Sequence, residues 1–250
     1  FNKLSKQQGL DLLAKEKFSR TTISFYKYII LNSPKELRDK IYSDWSNLNV
    51  LGRIYLANEG VNAQLSVPDH NLTNFKENIR SYFGSISIKK GIEDDGKSFF
   101  KLTIKVKRKI VADGLDSKTF DVTNVGNHLN ASEWNQAMDN GAIVVDMRNH
   151  YESEIGRFNG AICPETETFK QELPVVKKIL KGKEQQQILL YCTGGIRCEK
   201  ASAYLKGAGF KNVNQLHGGI IDYARQLNEA PKLEIKFQVK NLVFDESRSE

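Results

Sequence analysis

Cysteine, histidine and proline are scarce in this sequence, with 3, 4 and 5 of each in 250 residues, and their scarcity excludes several classes of protein. Cys163, Cys192 and Cys198 form no C-x-x-C pair and cannot all pair with one another, which argues against a disulfide framework and for functional thiols in a reducing compartment. His70, His128, His150 and His217 make no H-x-H or H-E-x-x-H pattern, so no metal site is expected. Neither G-x-G-x-x-G nor a Walker loop occurs, and no nucleotide or flavin cofactor is evident. No apolar run approaches the roughly 18–20 residues that cross a bilayer, and the first residues lack a signal-peptide pattern. A cytoplasmic protein without membrane association is the expectation. Phe1 in place of methionine implies that the natural start lies upstream. Nothing in the sequence sets an oligomeric state.

What is present is a soluble composition, 27% charged and 40% hydrophobic, with length for two domains. The formal charge of +7 is unevenly placed. Residues 1–120 hold 21 Lys+Arg against 13 Asp+Glu, a net of +8, whereas residues 121–250 hold 16 against 17. Such asymmetry suggests a polyanion-facing module joined to a near-neutral one, although solubility alone also accounts for a surplus of this size.

Residues 1–20 are polar and lysine-rich and read as an arm or short helix, with Leu10, Leu13 and Phe18 as anchors. Residues 23–31 are aromatic and β-branched, a central strand. Ser33-Pro34 then starts a helix carrying Leu37, Ile41, Trp45 and Leu48 at helical spacing. Residues 50–57 and 61–67 read as a hairpin around Asn58-Glu59-Gly60, and Pro68-Asp69 opens a helix with Leu72, Phe75, Ile79 and Phe83 on one face. After a loop around Asp94-Asp95-Gly96, residues 99–111 read as a long fourth strand. The order is βαββαβ, which predicts a ferredoxin/acylphosphatase-like α+β domain over residues 21–112. In the last strand Lys101, Thr103, Lys105 and Lys107 point one way and Leu102, Ile104 and Val106 the other. The lysines suit either a solvated edge or contact with RNA, for which Tyr26 and Tyr28 offer stacking surfaces unless they lie in the core.

Residues 113–129 lack apolar periodicity and read as a linker. From Asn130, which with Glu133 makes a capping-box pattern, strands and helices alternate, predicting a parallel sheet covered on both faces over residues 130–231. Its strands fall at 143–146, 188–191 and 213–216, and its helix over 167–180 contains Pro174, which must kink or split it. In the tail, 232–250, Leu233, Ile235, Phe237 and Val239 alternate with polar residues as a strand would.

The chemistry concentrates at Cys192-Thr193-Gly194-Gly195-Ile196-Arg197, between an apolar strand and a helix. A cysteine there faces backbone N–H groups and the positive end of a helix dipole, both of which favour the thiolate. Gly194 and Gly195 permit the tight turn, and Arg197 can place a forked cation over an anion. Cys198 either resolves a persulfide or oxidised thiol or is a small buried helix residue; Cys163 has no assigned role. Cysteine phosphatases place the arginine six positions after the nucleophile, whereas here the spacing is five, which resembles the rhodanese sulfurtransferases. Asp146-Met147-Arg148, Glu152, Gly156 and Gly160-Ala161-Ile162 resemble the early part of the same signature. In that family Asp146 and Arg148 would chiefly brace the loop.

More specifically, the chain resembles the rhodanese-domain tRNA uridine hydroxylases. Three stretches carry the resemblance: residues 52–64 (GRIYLANEGVNAQ), residues 126–134 beginning Gly126-Asn127-His128-Leu129, and residues 192–200 (CTGGIRCEK), with 241–246 (NLVFDE) similar to the family's end-of-domain segment. Members commonly continue into a cysteine-rich tail that is not in this sequence. The resemblance implies oxygen-dependent formation of 5-hydroxyuridine at the wobble position of tRNA, with Cys192 as the essential thiol, molecular oxygen as co-substrate and tRNA as partner. The residues themselves show less: a thiolate or persulfide beside Arg197 explains sulfur transfer directly, whereas hydroxylating uracil with O2 normally calls for a metal or flavin, so a thiosulfate or persulfide sulfurtransferase working through a Cys192 persulfide is the alternative. A noncatalytic tRNA-binding adaptor is a third reading.

Overall fold

A computed structural model describes residues 5–91, 96–115 and 119–239, and the chain divides into two units, Phe1–Ile110 and Val111–Glu250. In the first, strand alternation separates a core face from a polar face. Strand β1 (Arg20–Tyr28) buries Ile23 and Phe25, and β2 (Leu51–Ala57) and β3 (Gly60–Pro68) form the expected hairpin, from Ala57↔Gly60 to Leu51↔Ser66. Gly60 is required at the turn: its φ is +146°, and a Cβ there would lie 2.0 Å from the Lys27 carbonyl oxygen. Helix α1 (Lys6–Ala14) is anchored by buried Leu13, while Leu10 and Phe18 are each 38% exposed. Helix α2 (Pro34–Asn47) starts with Pro34 in its first turn, where a missing N–H costs nothing. It packs Ile41 and Trp45, together with Phe75, Ile79 and Phe83 of α3 (Leu72–Phe83), on one face of the sheet. The Trp45 and Phe75 rings meet edge to face at 4.8 Å.

One expectation needs correcting. The fourth place in the ferredoxin-like sheet, beside β1, is taken by a two-residue strand, β4 (Lys89–Lys90). The strand read at 99–111 is shorter, β5 (Leu102–Val106), and pairs in parallel with β2 at the opposite edge, giving the order β4-β1-β3-β2-β5. Alternation sets which face a side chain takes but not which edge a strand joins; that is decided by the outer backbone groups of β2, which need partners. The Lys107 N–H makes the last bond to β2, to the Leu56 carbonyl at 2.8 Å, and further on the Ile110 N–H donates to Glu59 Oε1 at 3.0 Å. Asp94 and Asp95 lie outside the described residues.

The second unit contains β6 (Asn127–Leu129), α4 (Ala131–Asp139), β7 (Ile143–Asp146), α5 (His150–Ile155), β8 (Gly156–Phe158), α6 (Phe169–Ile179), β9 (Gln187–Tyr191), α7 (Ile196–Gly207), β10 (Asn212–Leu216), α8 (Gly219–Glu229) and β11 (Phe237–Val239). Strands β6-β10-β9-β7 form a parallel sheet. Strand β9 shows why it is covered on both sides: Ile188 and Leu190 join Leu173, Val176 and Ala201 of α6 and α7, while Leu189 and Tyr191 join Trp134 and Tyr223 of α4 and α8. The Asn130 capping box is closed in both directions, at 3.0 and 2.9 Å. Helix α6 runs through Pro174 without being split. The buried stripe of Phe169, Leu173 and Val176 offsets the one ladder bond the proline removes.

The segment read as a linker belongs to this unit. Val111 and Leu115 pack on the core, Asp113 is buried against Lys200 Nζ at 2.9 Å, and the Phe120 ring meets Tyr204 at 5.8 Å. The tail does return as a strand: β11 pairs antiparallel with β8, placing Phe237 5.2 Å from Phe158. Residues 240–250, which include the NLVFDE segment, lie outside the described residues. Among the described residues no helix is long and apolar enough to cross a membrane.

Candidate active site

Strand β9 ends at Tyr191, and α7 begins at Ile196 after Gly195, which has a φ of +97°. The reversal places Cys192, 1% exposed, under the start of the helix, with its Sγ accepting the Gly195 N–H at 3.1 Å. Burial alone would raise the thiol. The Cys198 thiol donating to it, the Arg197 charge and the backbone N–H groups of Cys198 and Gly195 outweigh burial and bring it down to about 6. Cys198 moves the opposite way, well above its ordinary value, through burial and the neighbouring Cys192. The pair therefore consists of one thiolate and one proton-holding thiol, in contact. Cys163 takes no part in this contact; burial raises it.

Arg197 does not hang free over the loop. Its guanidinium grips Glu152, from the first turn of α5, through two bonds of 2.9 and 3.1 Å, and reaches Thr193 Oγ1 at 3.3 Å. The Thr193 hydroxyl donates to the same carboxylate at 2.8 Å. Burial would raise Glu152, but the Arg197 and Thr193 contacts hold it below the usual carboxylate range.

Asp146 and Arg148 lie at the strand end that precedes the cysteine. Arg148 binds Asp146 through Nε and Nη2 at 2.8 and 2.6 Å and the Gly156 carbonyl at 2.6 Å, and the Tyr191 hydroxyl donates to Asp146 Oδ2 at 2.7 Å. The turn after β10 holds the loop from the other side. The Ile220 and Ile221 N–H groups donate to the carbonyls of Cys192 and Thr193 at 3.0 and 3.3 Å. Gly219, at φ +70°, lies so close that a Cβ would sit 2.5 Å from both oxygens. Gly219→Ala is therefore expected to cost more than about 1 kcal/mol in backbone strain, beyond the steric displacement of the loop. Thermal unfolding together with the alkylation rate of Cys192 checks this; a variant matching wild type in both contradicts the packing.

Glu172 is the acidic group that sequence reasoning missed. It is fully buried on α6, neither oxygen has a hydrogen-bond partner, and burial pushes it up to about 9, within range of Cys192, Arg197, Asp146 and Glu152. It is thus neutral at neutral pH and adds no negative charge beside the thiolate. Its pKa is raised on folding, so stability falls as pH rises from about 4.5 towards 9, as the unfolded carboxyl ionises and the folded one does not. The stability advantage of Glu172→Met over wild type is expected to grow by on the order of 4 kcal/mol between pH 5 and pH 8, measured by denaturant unfolding. A pH-independent difference contradicts it.

On the same C-terminal edge of the sheet, Glu199 of α7 binds His128 Nε2 at 2.7 Å and accepts from Gln215 Nε2 at 3.1 Å, with the His217 ring 5.8 Å from that of His128. The Glu199 hydrogen bond, opposed by burial, raises His128. Replacing Glu199 with Gln is expected to lower the His128 pKa in an NMR titration. The stabilisation this pair provides is present below about 6.5 and lost as pH rises through the raised value. Among the described residues no group of three or more His, Cys, Asp or Glu could hold a metal ion.

Comparison with known proteins adds the family. A profile described as the UPF0176 acylphosphatase like domain matches residues 20–110, and one described as a Rhodanese-like domain matches residues 130–226. A tRNA uridine(34) hydroxylase of Leptospira interrogans is 58% identical over 93% of this chain and 64% of its own length. Those of Photorhabdus laumondii and Yersinia enterocolitica are 45% and 46% identical over the whole of this chain and 72% of theirs. The chain belongs to the tRNA uridine(34) hydroxylase family.

In this family member the loop residues read from the sequence, Cys192 to Arg197 with Cys198, come together as one site. Lys105 of β5 and its flanking Lys101 and Lys107 sit on the first unit: Lys105 and Lys107 are exposed, the latter 5.7 Å from the Tyr55 ring, and Lys101 is half-buried, 5.5 Å from Phe100. The signal for Glu172 was its place at i+3 on the apolar stripe Phe169, Leu173, Val176. Glu152 is named by the signature, but its pairing with Arg197, 45 residues away, has no signal in the sequence.

Proposed function

We propose that this chain hydroxylates the wobble uridine of tRNA to 5-hydroxyuridine, with Cys192 as the reacting thiol and molecular oxygen as co-substrate. The observation that carries this reading is the Cys192 thiolate, held at about 6 under a helix start, in a chain similar over its whole length to tRNA uridine(34) hydroxylases. A thiolate can add to uracil C6: the S–C6 bond forms, the C5=C6 π pair shifts towards the C4 oxygen, and C5 takes one atom of O2, whose other atom leaves as water on two electrons and two protons from a thiol-class reductant; loss of the C5 proton then expels the thiolate and restores C5=C6. Cys192 is 1% exposed, so a base reaches the sulfur only when the loop opens. The basic first unit, including Lys101, Lys105 and Lys107, supplies the attraction for the tRNA backbone, and the cytoplasm is where that substrate lies.

The test is nucleoside mass spectrometry on tRNA from a strain lacking its own hydroxylase and carrying this gene. 5-Hydroxyuridine is expected under aerobic growth and not under anaerobic growth. Unchanged nucleosides together with strong thiosulfate-to-cyanide transfer would assign the thiolate to sulfur carriage instead.

A further inference from the structure

Strand pairing in the first unit aligns a surface that no single strand shows. Both packed helices cover the face holding Ile23, Phe25, Ile54 and Ala63, so the opposite face is read directly from the register. One row across it is Tyr26, Asn62, Tyr55 and Lys105; the next is Ser24, Gln64, Arg53 and Thr103, with Lys89 beside Ser24. Lys89 Nζ lies 5.7 Å from the Tyr26 ring and Lys107 Nζ 5.7 Å from the Tyr55 ring. No residue of these two rows is acidic, although the first 120 residues contain 13 Asp and Glu. The two tyrosines are separated by one strand, about 10 Å, which leaves each ring space for its own base. Lysines guarding a sheet edge need neither aromatic neighbours nor cations on inner strands such as Arg53.

We infer that this sheet face is a stacking platform for unpaired nucleotides of RNA, with Tyr26 and Tyr55 beneath two bases and Arg53, Lys89, Lys105 and Lys107 along the phosphates. The inference draws on the proposed function only for the identity of the RNA as tRNA. Aromatic rings take any base, and the interleaved cations follow the backbone, so the platform confers affinity and little sequence preference.

The experiment is fluorescence anisotropy of the purified chain with labelled tRNA over a salt series. Tyr26→Ala/Tyr55→Ala is expected to weaken binding by about tenfold or more, with the salt slope unchanged. Tyr26→Phe/Tyr55→Phe should bind like wild type, because stacking needs the ring and not the hydroxyl. Lys89→Gln/Lys105→Gln/Lys107→Gln should lower the slope of log K against log salt by roughly 2–3. Tyrosine-to-alanine binding within twofold of wild type overturns the platform, as does a wild-type chain with no affinity for tRNA at low salt. If the alanine pair fails to fold by circular dichroism, an unchanged salt slope in the lysine variant overturns it. A chain that binds through this face yet makes no 5-hydroxyuridine leaves the platform standing and removes the hydroxylase reading.

Discussion

Cys192→Ser is expected to keep its fold and lose 5-hydroxyuridine formation by about three orders of magnitude or more. The side chain is nearly isosteric and the loop is held by contacts that do not involve sulfur, namely the Arg197–Glu152 pair and the Ile220 and Ile221 N–H groups. A serine hydroxyl, however, stays protonated near neutrality, where the cysteine at about 6 is mostly thiolate. The same state predicts that iodoacetamide alkylation of wild type rises with pH to half its maximum near 6. Cys198→Ala should move that midpoint upwards, because the strongest contribution opposing burial is the Cys198 thiol donating to Cys192. A midpoint near 8.5–9 in wild type would contradict the site as described.

Lys200→Met is expected to lower stability by about 3–5 kcal/mol, or roughly 10 °C in Tm. Lys200 and Asp113 face each other at 2.9 Å with both side chains fully buried, so removing the ammonium takes from a buried carboxylate, whose Oδ1 accepts the Leu115 N–H at 2.8 Å, the cation that faces it. Replacing both, as Lys200→Met/Asp113→Leu, should recover most of the loss, because the desolvation of two charges disappears with their attraction. Thermal unfolding of the single and double variants decides it; a single variant within 1 kcal/mol of wild type would mean the pair is not buried as described. Because Lys200 sits in α7 two residues after Cys198, this pair also ties the segment once read as a linker to the helix that bears the site.

Local rules made much of this legible in the sequence. The capping box at Asn130, the β-rich run of β1, the apolar run of β9 and the glycine-rich turn after Tyr191 each act over a few residues, and each formed as expected. What the sequence hid depends on distance along the chain. The edge that β5 joins, the grip of Glu152 on Arg197, the Gly219 contact with the loop carbonyls and the Asp113–Lys200 pair all link segments far apart, and no periodicity encodes them. Helix α6 continues through Pro174 unsplit because the stripe it interrupts is buried, and that gain is tertiary rather than local. Glu172 could have been suspected as a carboxyl on an apolar stripe, but its neutral state follows only from burial.

The central claim is that the Cys192 thiolate carries out uridine hydroxylation. It is tested most directly by mass spectrometry of tRNA nucleosides from a strain lacking its own hydroxylase, complemented in parallel with wild type and with Cys192→Ala at matched expression. The account predicts 5-hydroxyuridine with wild type and none with Cys192→Ala; 5-hydroxyuridine restored by Cys192→Ala would contradict it.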